Sequence, residues 1–143
     1  MPQYSWNATQ FDNISVPIGF VFDQSRARLY SFHNGTGTIN SAFASWDSQN
    51  NLEYIKGVSG YEFVENANVF DGSNLIYSML HYLSDPSYFS VAVWNTTDGS
   101  LNRFFQDNNA STVSTYDTTA RLNSDNTAIY LSSFSTRHGV TSI

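Results

Sequence analysis

The chain has no cysteine. Disulfides, thiolate metal sites and cysteine nucleophiles are thereby excluded, while the redox compartment stays open. Cations are nearly as scarce: six Lys and Arg stand against twelve Asp and Glu, a net charge of −6. Arg26 and Arg28 are the only close pair of cations, so no basic patch exists to neutralise a phosphate backbone, and nucleic acid is disfavoured as a partner. No apolar run approaches the roughly 18 to 20 residues a membrane helix needs. Met1-Pro-Gln-Tyr-Ser has neither the basic n-region nor the apolar h-region of a signal peptide. Good helix formers such as Lys, Glu and Ala are few, which argues against a helical protein. The chain also lacks a Gly-x-Gly-x-x-Gly or Walker loop, a Gly-x-Ser-x-Gly elbow and a dense Asp-x-Asp-x-Asp loop. Nucleotide binding, a serine nucleophile and a calcium loop therefore have no motif behind them.

What the chain does have is aromatic and β-branched residues. At 41% apolar, 16% aromatic and 13% charged residues, it is too apolar and too weakly charged to stay disordered, and the apolar set leans to strand. Its 143 residues suit one domain.

A phrase recurs along it. Trp94-Asn-Thr-Thr is echoed by Trp46-Asp-Ser-Gln and by Trp6-Asn-Ala-Thr, each Trp closing an apolar segment before a polar turn. Upstream of it, the turns Asp23-Gln-Ser-Arg26, Asp71-Gly-Ser-Asn74 and Asn123-Ser-Asp-Asn126 each precede a Tyr-bearing strand. Tyr30, Tyr77 and Tyr130 thus recur at a period of about fifty residues.

Alternation and turn chemistry place strands at 18–22, 28–33, 42–46, 52–56, 66–70, 75–83, 90–94, 101–105 and 128–134. Asn34-Gly35 is the strongest short-range turn signal, and loops are expected at 84–87, 107–115 and 135–139. The pattern divides the chain into a partial unit at 1–17, units at 18–60 and 61–117, and a partial unit at 118–143. Four short antiparallel strands per unit is the pattern of a propeller blade; a β-sandwich with evenly spaced strands is the alternative all-β fold.

These motifs resemble the WD40/YVTN-type β-propeller superfamily. Its repeats share a polar turn, a Leu-Tyr strand and a strand closing in Trp-Asp or Trp-Asn; Trp46-Asp47 is the one true Trp-Asp pair here, and no Gly-His dipeptide opens a repeat. The resemblance implies a non-catalytic binding or scaffold module, and no cofactor or catalytic residue follows from it. It leaves open a propeller enzyme, a quinoprotein-like dehydrogenase or a glycosidase with its site partly outside this chain. About three blade equivalents are present, whereas propellers close with about four to eight. The expectation is therefore either a piece of a longer propeller or self-association through open sheet edges, two copies closing a six-bladed ring.

Candidate chemistry is thin. His33, His81 and His138 fall late in second strands or just after them, but their offsets from the aligned Tyr residues differ, which argues against a symmetric metal ring. Asp23, Asp47, Asp71, Asp98 and Asp125 sit in turns, where carboxylates cap backbone amides. The sequons at Asn7, Asn13, Asn34, Asn95 and Asn109 are candidate N-glycosylation sites and motivate an extracellular or cell-surface glycoprotein, or a glycan-binding one. With 15 Asn and 33 Ser or Thr, about three or four sequons arise by chance. Tyr54, Tyr61, Tyr82, Tyr88, Phe104 and Phe105 are either sugar- or protein-binding platforms or packing between sheets.

Overall fold

A computed structural model of the chain describes residues 17–34, 41–107, 119–132 and 138–142. The described residues form strands and turns, with no helix among them.

The first sheet is the meander β1 (Pro17–Asp23), β2 (Arg28–His33), β3 (Ser41–Trp46) and β4 (Leu52–Val58), paired in that order. The second repeats it with β5 (Tyr61–Phe70), β6 (Leu75–Tyr82), β7 (Asp85–Asn95) and β8 (Leu101–Asp107). The third holds β9 (Thr119–Leu122), β10 (Ala128–Ser132) and β11 (His138–Ser142). All pairings are antiparallel between consecutive strands, and no sheet closes into a barrel.

Three elements differ from the sequence expectation. β5 begins at Tyr61 rather than near 66, because Phe63 pairs with Leu80 while Asn68 pairs with Ser78. Val64 to Ala67 therefore lie opposite Met79 alone, and this bulge breaks the period-two alternation that would mark a strand. β7 begins at Asp85, inside the expected loop 84–87, since Tyr82 and Asp85 close a hairpin around Leu83-Ser84. Pro86 falls where the register shifts between His81 and Tyr82, the irregular position that tolerates a missing N–H. β11 begins at His138, inside the expected loop 135–139. Gly35 to Asn40, and with them most of the Asn34-Gly35 turn, lie outside the described residues.

Register fixes which residues correspond. Leu29 faces Trp46 as Ile76 faces Trp94, and Tyr30 faces Ser45 as Tyr77 faces Val93. Successive side chains on a strand alternate between faces, so each of the first two sheets has a Tyr face and a Trp face. The Tyr face of the first sheet (Tyr30, Phe32, Phe43) packs with Ile76, Leu80, Ala92 and Trp94 of the second sheet's Trp face. The second sheet's Tyr face (Tyr77, Met79, Val91, Val93) packs with Leu122 of the third. The sheets stack head to tail, and the middle one buries both faces. Strand β5 lies against β1 on one side and β9 on the other.

Polar clasps lock the first joint at both ends. At one, Arg26 donates to the Ser73 carbonyl and to Asn74 Oδ1 (2.8 Å). The Asn74 carbonyl accepts from Thr96 N and Oγ1, and the Thr96 carbonyl accepts from the Tyr54 hydroxyl (2.7 Å). At the other, Asn34 imitates a strand: its Nδ2 donates to the Phe63 carbonyl (3.0 Å) and its Oδ1 accepts from Phe63 N (2.7 Å). Ser41 Oγ there donates to the Tyr61 carbonyl.

Candidate binding groove

The edge strand β4 carries exposed residues and ends at Val58, after which the turn at Ser59-Gly60 sends the chain back into β5 at Tyr61. Gly60 has φ +82, a conformation that glycine adopts at little cost. Because the first two sheets stack, the end of β4 and Tyr61 come beside β7 and β8. Between them lies a groove of about 490 Å³ lined by Lys56, Val58, Tyr61, Trp94, Leu101 and Phe104, among others. Its walls are aromatic. Tyr61 meets Phe104 edge-on at 5.2 Å between ring centroids and Tyr82 at 5.3 Å, offset geometries that the ring quadrupoles favour. Leu101 is 51% and Phe104 39% exposed, so the rim is open to a ligand.

A second, smaller cavity of about 180 Å³ lies at the Arg26 clasp, lined by Arg26, Arg28, Tyr30, Glu53, Thr96 and Thr97. Its charges are already committed: Arg26 pairs with Asp23 at 2.9 Å and Arg28 with Glu53 at 2.7 Å.

Of the recurring Trp residues, Trp46 closes β3 and Trp94 is the penultimate residue of β7, both buried; Trp6 lies outside the described residues. Trp46 Nε1 donates to Ser31 Oγ (2.9 Å), which lies 3.0 Å from His33 Nε2. In the second sheet the corresponding atoms, Trp94 Nε1 and Ser78 Oγ, are buried without hydrogen-bond partners among the described residues. Tyr30 and Tyr77 are buried and pair across β1 and β5 with Val21 and Val69. Tyr130 pairs with Arg121 and Val140, and its side chain lies outside the described residues.

His33 and His81 do not converge. His33 falls three residues after Tyr30 and His81 four after Tyr77, and that odd difference turns them to opposite faces of their sheets; both are buried. The His138 side chain lies outside the described residues. No group of three or more His, Cys, Asp or Glu able to hold a metal ion occurs among the described residues.

The turn aspartates cap backbone, as their positions suggest. Asp23 Oδ1 accepts from the amides of Ser25 and Arg26, and Asp71 Oδ1 from those of Ser73, Asn74 and Leu75. Asp47, Asp98 and Asp125 accept from amides two to four residues on. Burial works to raise the Asp23 pKa, but the Ser25 hydroxyl, the Arg26 amide and the Arg26 guanidinium outweigh it and hold the carboxyl below the usual range. Burial pushes the hydroxyls of Tyr30, Tyr54 and Tyr77 up, further from neutrality. These shifts lead away from pH 7, where a general acid or base works best.

Of the sequon residues, Asn34 has its side-chain amide engaged with Phe63, so a glycan on Nδ2 would break that clasp. Asn95 Oδ1 accepts from Thr97 N in an exposed turn. Asn7, Asn13 and Asn109 lie outside the described residues. Of the aromatic platform candidates, Tyr61, Tyr82 and Phe104 form the groove cluster, while Tyr54 packs edge-on against Phe43 between the sheets. The side chains of Tyr88 and Phe105 lie outside the described residues.

The sequence names Tyr61 and Phe104 as platform candidates but not the groove that joins them, because its lining comes from segments about 40 residues apart that only sheet stacking unites. No family model matches the chain, and no curated protein or solved structure proves similar to it.

Proposed function

We propose that the chain is a non-catalytic binding module built of propeller-type blades, with the groove between its first two sheets as the binding surface. The observation that carries this reading is the head-to-tail stacking: the Tyr face of each sheet meets the Trp face, or the body, of the next. A two-sheet sandwich leaves two outer faces to solvent, whereas the middle sheet here is buried on both. Such heterologous contacts either close into a ring or continue, and three sheets fall short of the roughly four to eight of a closed propeller. The module is therefore either a piece of a longer propeller or self-associates through its open faces and edges, two copies making one ring. An extracellular or cell-surface setting belongs to the same reading, supported by the sequons and the scarcity of lysine.

Light scattering on the purified chain tests the assembly: a discrete dimer supports the ring, polydisperse aggregate supports a piece of a longer propeller, and a stable monomer at all concentrations contradicts both. Turnover on a panel of sugars, or with quinone cofactors supplied, contradicts the non-catalytic part and favours the propeller-enzyme alternative.

A further inference from the structure

The chain contains one lysine, Lys56, and it lines the aromatic groove. In a protein of net charge −6 this sets a cation at an apolar groove. Arg26 and Arg28 are each bound to a carboxylate, and Lys56 belongs to neither pair. Its stem is held over the β7–β8 turn: a Cβ on Gly99 would stand 2.9 Å from Lys56 Cγ. Asp98 in that turn interacts electrostatically with Lys56, but it does not line the groove, and its Oδ1 accepts from the Ser100 amide and hydroxyl. Val58, Tyr61, Trp94, Leu101 and Phe104 line the same groove as Lys56. An apolar floor of about 490 Å³ falls in the roughly 300–1,000 Å³ range of small-molecule sites, which join apolar walls to a few placed polar groups.

Resting on the binding-module reading, we propose that this groove binds a small amphipathic carboxylate, its ring-sized apolar body against Tyr61, Trp94 and Phe104 and its anionic end at Lys56. Lys56 is the one charged side chain of the lining and favours an anionic end over a neutral sugar; the other polar groups on its side chains are the Ser59, Ser100 and Tyr61 hydroxyls and the Trp94 indole N–H. The protein's own negative charge repels anions at long range, so an anion that does bind owes its affinity to the local lysine and the apolar floor together.

The test uses 2-naphthoate and its neutral analogue 2-naphthalenemethanol, titrated by calorimetry and by Trp fluorescence against the full chain. Wild type should bind naphthoate saturably and more tightly than the alcohol. Lys56→Gln should weaken naphthoate about fivefold, the worth of a partly exposed ion pair, and leave the alcohol unchanged. Phe104→Ala should weaken both. Both residues are exposed, and unchanged melting curves verify that the variants fold. Reductive ¹³C-methylation supplies a second readout, because Lys56 and the N-terminal amine are the only primary amines. The Lys56 signal should shift with naphthoate while the other does not. The proposal is overturned by absence of saturable naphthoate binding, by equal affinity of the two probes, by binding insensitive to Lys56→Gln, or by methyl glycosides displacing the probe. Those outcomes leave the module reading standing, since light scattering and turnover decide it separately.

Discussion

Trp46 and Trp94 occupy the same register position in successive sheets, yet only Trp46 has its indole hydrogen-bonded, to Ser31. Trp94 instead lies against Phe43 of the neighbouring sheet, 4.7 Å between ring centroids. Trp46→Phe should therefore cost more than Trp94→Phe by about 1 kcal/mol, one net hydrogen bond. Truncation of Trp94 to Ala should cost roughly 3–5 kcal/mol through the cavity it leaves. Urea denaturation of the three variants measures both.

The serines beneath these rings make the complementary case. Ser31→Ala removes the acceptor of a buried N–H and should destabilise by about 1–3 kcal/mol, whereas Ser78→Ala removes an unsatisfied buried hydroxyl and should be neutral or stabilising. Equal losses at the two positions would contradict the difference between the sheets.

Gly99 and Gly72 separate backbone strain from collision. Both have positive φ, +72 and +85, but a Cβ at Gly99 would lie 2.6 Å from Tyr54 Cε2 while one at Gly72 meets nothing within 4 Å. Gly72→Ala should cost about 1 kcal/mol for conformation alone. Gly99→Ala should cost about 1–3 kcal/mol more because Tyr54 must give way. Thermal melts suffice to rank them.

The Asn34 clasp predicts that Asn34→Asp is worse than Asn34→Ala. The carboxylate still accepts from Phe63 N but sets an anionic oxygen against the Phe63 carbonyl, where Nδ2 now donates, a repulsion that Ala at this half-buried position does not introduce. Melting temperatures of the two variants check the order, and Asp melting above Ala would refute the strand-like role.

Stability should fall at both extremes of pH. The depressed Asp23 pKa contributes stability that is fully present above the unfolded value of about 3.9 and lost as pH falls through the folded value. The raised tyrosines, Tyr54 most of all, act oppositely: their contribution is present below the unfolded value of about 10 and lost as pH rises toward the folded one. Melts from pH 2 to 11 should show a plateau between. Tyr54→Phe should flatten the alkaline limb, and Asp23→Asn the acid one.

The sequence by itself determined the all-β character and most strands, because alternation, aromatic content and turn chemistry are local. The capping turns at Asp23 and Asp71 were legible for the same reason, since an Asx side chain reaches only amides a few residues on. The unequal offsets of His33 and His81 from their Tyr residues already argued against a shared metal. Tertiary structure alone decided the rest. The β5 bulge hid a strand, because Val64 to Ala67 follow no alternation until Asn34, 29 residues earlier, pairs with Phe63. The similar phrases Trp46-Asp-Ser-Gln and Trp94-Asn-Thr-Thr met different surroundings: Trp46 bonds to Ser31 of its own sheet, whereas Trp94 lies against Phe43 of the neighbouring one. The groove that joins Lys56 to Phe104 exists only because two sheets stack, a contact between residues far apart in the chain that no local pattern encodes.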